Sequence, residues 1–335
     1  MKTICLIPGD GIGQEVIPAV AEVLEILDLG LTFVHAEAGF ACFERHGDAL
    51  PPQTLELVRQ SDAALFGATS SPSTIVPGYR SPILALRREL NLYANLRPVI
   101  SLPGPFSRPD IDLLIVRENS EGLYSGRERL EGDTAIAERV ITRQGSERIA
   151  RVACEQTMRR AQTRGRAAHL TLVHKANVLK LSDGLFRETA LRTAAAYPAI
   201  RVDEMLVDTA AMRLIQSPET FDVIVTTNLF GDILSDEASA LVGGLGVAPS
   251  ANVGDGTPVF EPVHGSAPDI VGQGIANPTG ALLSAAMMFE TLGLPEPAHC
   301  LRNAILETLK EGFLTADLGG RCATRQFIEA VCRHL

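Results

Sequence analysis

The sequence predicts an α/β protein of two lobes built on a largely parallel sheet. Three observations carry that prediction. Short apolar runs alternate with stretches of helical periodicity. The chain of 335 residues exceeds the size at which one hydrophobic core usually stays undivided. Two Pro/Gly-rich stretches, 97–109 and 243–262, interrupt the alternation and read as crossings between lobes. Residues 4–7 read as the first strand, and Val16, Ile17, Val20, Leu24 and Leu27 then recur at helical spacing. Pro18 inside that pattern is expected to kink the helix or move its start. Residues 31–34, 63–66, 113–116, 170–173 and 223–225 are further strand candidates, most of them followed by helix-like stretches. The expected division is one lobe from both chain ends, 1–98 and 246–335, with 99–245 inserted.

Composition narrows the function classes. A net charge of −10 disfavours nucleic acid, and an anionic substrate would need a local cationic pocket. Cys5, Cys42, Cys154, Cys300, Cys322 and Cys332 show neither CxxC pairing nor zinc-like spacing, so free thiols in a reducing cytoplasm are expected. No apolar stretch approaches the roughly 18 residues of a membrane span. The N-terminus runs from Met1 straight into a strand and a Gly-rich turn, so no export signal is expected. There is no internal repeat and no low-complexity tract.

Gly9-Asp10-Gly11-Ile12-Gly13, with Glu37 about one βαβ unit later, imitates a dinucleotide fingerprint. A GxGxxG pattern starting at Gly9 needs a third glycine at position 14, for close helix and strand packing, and this chain has Gln14. A tight turn that needs a permissive backbone is the alternative. Arg87, Arg97 and Arg117, with Tyr124 seven residues after the last, could pair bidentately with the carboxylates of a di- or tricarboxylic acid; for any one of them a surface ion pair competes. Arg117 directly follows the run 113–116 and should sit at a strand end, where α/β proteins bind ligands. Lys175 likewise follows 170–174; desolvated beside arginines, such a lysine can have its pKa lowered to roughly 7 to 8, suited to a general base. Asp232 and Asp236 are one helical turn apart just after the run 221–225, two like charges in want of a cation. With Asp208, which ends the run 205–207, they would give three hard oxygen ligands, appropriate to Mg²⁺ or Mn²⁺ and unsuited to zinc.

Seven segments together resemble the metal-dependent β-decarboxylating 2-hydroxyacid dehydrogenases, which include isocitrate, homoisocitrate, isopropylmalate and tartrate dehydrogenases. They are IPGDGIGQEV (7–16), LRRELNLYANLRP (86–98), VRENSEGLY (116–124), HKANVLK (174–180), VDTAAMRL (207–214), TTNLFGDILSDEAS (226–239) and EPVHGSAPDIVGQGIANP (261–278), in the family's order along nearly the whole chain. The resemblance implies the isocitrate/isopropylmalate dehydrogenase fold rather than a standard Rossmann fold. It implies that Arg87, Arg97 and Arg117 hold the carboxylates of a malate-like core. Tyr124 is similar to the acid that protonates the enol carbon after carbon dioxide leaves, and Lys175 to the base that takes the hydroxyl proton. Asp208, Asp232 and Asp236 would form the metal shell, with Lys175 and Asp208 supplied by a partner subunit, so at least a homodimer is expected. The HGSAPD loop implies cofactor contacts from His264, Gly265, Ser266, Ala267 and Asp269, with Asn277 beside the adenine. Thr69, Ser70, Ser71 and Asn177 would lie near the nicotinamide, and Glu261 near its ribose. Members that use NADP have lysine and tyrosine where this chain has Asp269 and Ile270, so NAD is expected: a carboxylate accepts ribose hydroxyls and repels a 2′-phosphate.

The stretch before Arg87 bears on the substrate. Isopropylmalate members are apolar there, whereas isocitrate members place a serine six residues before the first arginine, the position of Ser81. Arg80 adds a possible cation. GYRSPI before LRR, FERHG at 43–47 and RENSEGLY look most like homoisocitrate members of the α-aminoadipate route to lysine. One departure is Leu84, beside Ile83, where some bacterial homoisocitrate members have an arginine; it leaves isocitrate and isopropylmalate open as substrates. Two other readings differ in class. A regulatory subunit would have lost catalytic residues that are intact here, and a metal-free Rossmann dehydrogenase needs the glycine that Gln14 replaces.

Overall fold

The structure, a computed structural model, describes residues 2–335. Along the chain it runs β1 (Lys2–Gly9), α1 (Gly13–Ile26), β2 (Leu31–His35), α2 (Phe40–His46), α3 (Pro52–Gln60), β3 (Ala63–Ala68) and α4 (Pro82–Glu89). Next come β4 (Ala94–Ile100), β5 (Asp112–Glu118), the hairpin β6 (Glu128–Glu131) and β7 (Thr134–Ala137), α5 (Arg143–Arg164), β8 (His169–His174) and α6 (Ser182–Ala194). Then follow β9 (Arg201–Leu206), α7 (Val207–Gln216), β10 (Val223–Thr226), α8 (Asn228–Ser239), β11 (Pro249–Val253), β12 (Val259–Pro262), α9 (Thr279–Thr291), α10 (Pro295–Lys310) and α11 (Thr324–Arg333). Pro18 does not move the start of α1, which is continuous from Gly13 to Ile26 and buries Val16, Ile17, Val20, Val23 and Leu24 along one face.

The described residues divide into two compact units: residues 2–92, 101–109 and 239–335, and residues 93–100 and 110–238. Residues 101–109, assigned from sequence to the inserted lobe, belong to the first unit. The stretch 243–262, read as a crossing, holds two strands of that unit.

In the first unit the strand order is β2-β1-β3-β12-β11, parallel except for the β11/β12 pair. All six residues of β3 are buried, as expected of a parallel strand covered on both faces. α9 is buried from Thr279 through Phe289, which explains a composition of TGALLSAAMMF with no polar face: it is a core helix. Among the described residues no helix is long and apolar enough to cross a membrane.

In the second unit the order is β4-β5-β10-β8-β9, with β4 antiparallel and the rest parallel. Its register positions the chemistry. Arg117 lies opposite Thr226, Thr226 opposite Val173, and His174 opposite Leu206. The carboxyl ends of β5, β10, β8 and β9 therefore end in one row, which carries Arg117, the start of α8, Lys175 and Asp208. In α/β sheets that edge is where ligands bind.

Candidate active site

In the second unit, α8 places Asp232 and Asp236 one turn apart, as their spacing predicts. Two arginines meet them. Arg97 Nη1 donates to Asp236 at 2.9 Å and to Ser235 Oγ at 2.6 Å, and lies 3.3 Å from Asp232. Its Nε is fixed by Asn95 Oδ1 at 2.7 Å. Arg117, 1% exposed, donates to Asp232, while its Nε and Nη2 donate to Asn228 Oδ1 at 3.1 and 2.8 Å. Gly231 makes room for it: a Cβ there would stand 2.7 Å from Arg117 Cγ. Tyr124, on a short 3₁₀ turn Leu123–Ser125, donates its hydroxyl to Asp232 and stacks under the Arg117 guanidinium, 5.1 Å from ring centroid to Cζ.

Electrostatics follow from this packing. Burial pushes the Tyr124 phenol up, its bond to Asp232 and that charge push it further, and Arg117 partly offsets them. The phenol therefore keeps its proton at neutral pH. Burial, and then repulsion from Asp232, raise the Asp236 carboxyl above the usual carboxylate range despite Arg97 and Arg117. A cation would relieve that repulsion, and two carboxylates suit a hard divalent ion, so the donor set fits Mg²⁺ or Mn²⁺.

Lys175 and Asp208 form a separate pair, Nζ to Oδ1 at 2.5 Å. The Lys175 partner within the chain is thus a carboxylate, not the arginine environment considered from sequence. The ammonium holds the exposed Asp208 carboxyl below its ordinary value. Asp208, Asp232 and Asp236 do not converge: no described group containing them brings its ligand atoms within 4.8 Å of one another. Sequence reasoning missed the anchor of Lys175. Its backbone N–H donates to Asp183 at 2.6 Å, a fully buried carboxylate that also takes the Arg139 guanidinium. Arg139 donates on to Thr227 Oγ1 at 2.8 Å and stacks over Phe230, tying the Lys175 strand end to the start of α8. Asn177, two residues after Lys175, is exposed in the same unit.

The first unit holds the remaining candidates. Arg87, 6% exposed, donates to Glu261 at 3.2 Å and to Asn252 Oδ1 at 3.0 Å, and Asn252 donates to Glu261 at 2.8 Å. Ser81 precedes α4; Leu84 is one turn before Arg87 on that helix, and Arg80 is exposed. The glycine turn is a structural knot. Gly11 has φ +56°, and a Cβ there would lie 2.1 Å from the Ser266 carbonyl oxygen, while Ile12 N–H donates to that oxygen at 2.9 Å. Gln14, in place of a third glycine, donates its amide to the Gly9 carbonyl at 2.6 Å. Asp10 accepts from the N–H groups of Phe40, Ala41 and Ser70 at 2.7, 3.0 and 2.9 Å. This role was missed from sequence, although Asp10 stands inside the quoted motif.

Two of the expected cofactor residues, Ser70 and Ser266, meet at that knot. Ser70 and Ser266 hydroxyls bond at 2.9 Å; Thr69 and Ser71 flank Ser70, with Ser71 exposed. His264 Nε2 is buried without a hydrogen-bond partner, an orphaned polar atom of the kind a ligand satisfies, and burial lowers the pKa of its ring. Gly265 and Asp269 are exposed, Ala267 adopts φ +41°, and buried Asn277 donates to Asp317 at 2.9 Å. The loop fits an adenosine-type ligand through His264 and the exposed Asp269 carboxylate.

Comparison with known proteins agrees with this geometry. The family model "Isocitrate/isopropylmalate dehydrogenase" matches residues 3–331. The chain is 55% identical to an isocitrate/homoisocitrate dehydrogenase of Thermus thermophilus, over 99% of this chain and 98% of that one. It is 49% identical to a 3-isopropylmalate dehydrogenase of Methanothermobacter thermautotrophicus, over 99% and 98%. The crystal structure of isocitrate dehydrogenase from Methylococcus capsulatus superposes with a TM-score of 0.94 at 43% identity, covering 100% of this chain and 99% of that one. The chain is a β-decarboxylating dehydrogenase and belongs to the isocitrate/isopropylmalate dehydrogenase family.

Proposed function

We propose that this enzyme oxidatively decarboxylates homoisocitrate to 2-oxoadipate in the α-aminoadipate route to lysine, with NAD and Mg²⁺ or Mn²⁺, as a cytoplasmic homodimer or higher homo-oligomer. The observation that carries the chemistry is the convergence of Arg97, Arg117 and Tyr124 on Asp232 and Asp236. When bound, the divalent cation supplies Lewis-acid polarisation of the substrate's hydroxyl and carboxylate oxygens, and NAD the hydride acceptor. Asp232 and Asp236 hold that cation, joined by Asp208 of a second subunit, since Asp208 does not meet them within one chain. Arg97 and Arg117, beside those aspartates, would offer their guanidinium groups to substrate carboxylates. Arg87 does the same in its own unit. Lys175, delivered with Asp208 from the partner, takes the hydroxyl proton after losing its own to solvent, as the neutral amine. Tyr124, its phenol protonated at neutral pH, donates a proton to the carbon left by carbon dioxide. His264, Gly265, Ser266, Ala267, Asp269 and Asn277 receive the adenosine end of NAD, and Thr69, Ser70, Ser71, Asn177 and Glu261 the nicotinamide end.

The substrate reading rests on Ser81 and on relatives such as the Thermus enzyme named for isocitrate and homoisocitrate. A hydroxyl beside α4 offers the distal carboxylate a hydrogen bond that an apolar residue would not. Comparing kcat/KM for homoisocitrate, isocitrate and 3-isopropylmalate with NAD and Mg²⁺ tests it. Homoisocitrate is expected to give the highest value; a preference for 3-isopropylmalate overturns the proposal.

A further inference from the structure

We infer that the first unit carries a second metal site, of zinc-like chemistry, formed by Glu37, Cys42 and His46. One ligand atom from each of these side chains lies within 4.8 Å of the other two, and no other such group occurs among the described residues. Cys42 and His46 are four residues apart on α2, so their side chains share one helix face. Glu37, from the connection before α2, brings its carboxylate to 3.7 Å from His46 Nε2. Tetrahedral zinc with nitrogen and oxygen ligands at roughly 2.0–2.1 Å needs an edge of about 3.4 Å, so a small side-chain movement closes the site.

The donors are one sulfur, one nitrogen and one oxygen. That mixture selects zinc or cobalt over Mg²⁺, which takes oxygen ligands. It therefore differs in kind from the carboxylates of α8. All three side chains line a cavity of about 1170 Å³ whose wall also includes Glu44 and Asp48, carboxylates on the approach of a hydrated cation. Cys42 is only 1% exposed and belongs to that wall, so the side-chain movement that closes the site must also uncover its sulfur. Arg45 is the competitor, 3.0 Å from the same Glu37 oxygen. Both side chains of that pair are more than half exposed, at 57% and 60%, so Arg45 can swing into solvent at little cost. Three protein ligands leave a fourth position for water. On binding, the Cys42 thiol proton leaves to solvent as the sulfur–metal bond forms.

Cobalt(II) titration of the whole enzyme tests this, with Mg²⁺ saturating so that the α8 carboxylates do not report. One equivalent should raise a thiolate-to-cobalt charge-transfer band, and Cys42→Ser should abolish it. His46→Ala, at a half-exposed ring, leaves the core intact and should weaken cobalt binding by about tenfold or more. Absence of the band at one equivalent, its persistence in Cys42→Ser, or an unchanged cobalt Kd in His46→Ala would each overturn the inference.

Discussion

Asp10 in the first unit and the Asp232–Asp236 pair in the second are acids at comparable places, each near the junction of a parallel strand and a helix, yet they are used in opposite ways. The Asp10 carboxylate is consumed by three backbone N–H groups, which hold α2 and the Ser70 segment together. The α8 acids face arginines and each other, and part of each carboxylate remains open, at 26% and 48% side-chain exposure. An acid saturated by backbone donors is architecture. An acid opposed by side-chain cations and a like charge is available to an ion, because exchanging side-chain partners leaves the backbone in place.

The comparison can be broken by substitution. Asp232→Asn should have the largest effect, lowering kcat about 10³-fold, since it removes the proposed metal ligand and the shared partner of Arg117 and Tyr124. Steady-state NADH formation across a Mg²⁺ titration measures it; full activity at high Mg²⁺ would place the ion elsewhere. Tyr124→Phe should lower turnover about 10²-fold, with carbon dioxide release and product protonation slowed more than hydride transfer. Single-turnover kinetics separate the two steps, and wild-type turnover would remove Tyr124 as the acid.

Asp10→Ala should behave differently. It leaves three backbone donors without their acceptor, so a loss of about 1–3 kcal/mol in denaturant unfolding is expected, with the KM for NAD raised and kcat little changed. A collapse of kcat at unchanged stability would make Asp10 chemical after all. The smallest effect is on stability without metal and concerns Asp236. Its folded pKa is raised above 3.8, so the ionised form is disfavoured by folding: stability is greatest below 3.8 and falls as pH rises through the folded value. Without metal, Asp236→Asn should therefore raise Tm by about a degree or two near neutral pH and leave it unchanged near pH 3, while abolishing the Mg²⁺ response. A lower Tm at neutral pH would mean that the Arg97 pair outweighs burial.

Much of this was legible in sequence, for reasons that can be named. The runs at 63–66, 113–116, 170–173 and 223–225 are apolar on both faces because parallel strands are covered on both sides, so they declare themselves locally. β9, RVDEML, and β11, PSANV, do not; charged, proline and asparagine residues hide strands that only their pairing with β8 and β12 creates. The Asp232 and Asp236 spacing was readable because one turn of helix is a local property. Asn228 on Arg117 and Asp183 on Arg139 were not, since those partners are 111 and 44 residues apart and meet only in the folded unit. The hold of Glu261 on Arg87, a pairing across 174 residues, was equally hidden.

The central claim is that Asp232 and Asp236 hold a divalent ion without which the reaction does not proceed. The most direct measurement is NADH formation from homoisocitrate and NAD before and after excess EDTA, followed by Mg²⁺. The account predicts loss of activity on chelation and its return with Mg²⁺ in the wild type, and no return in Asp232→Asn. NADH formation undiminished in excess EDTA would contradict it.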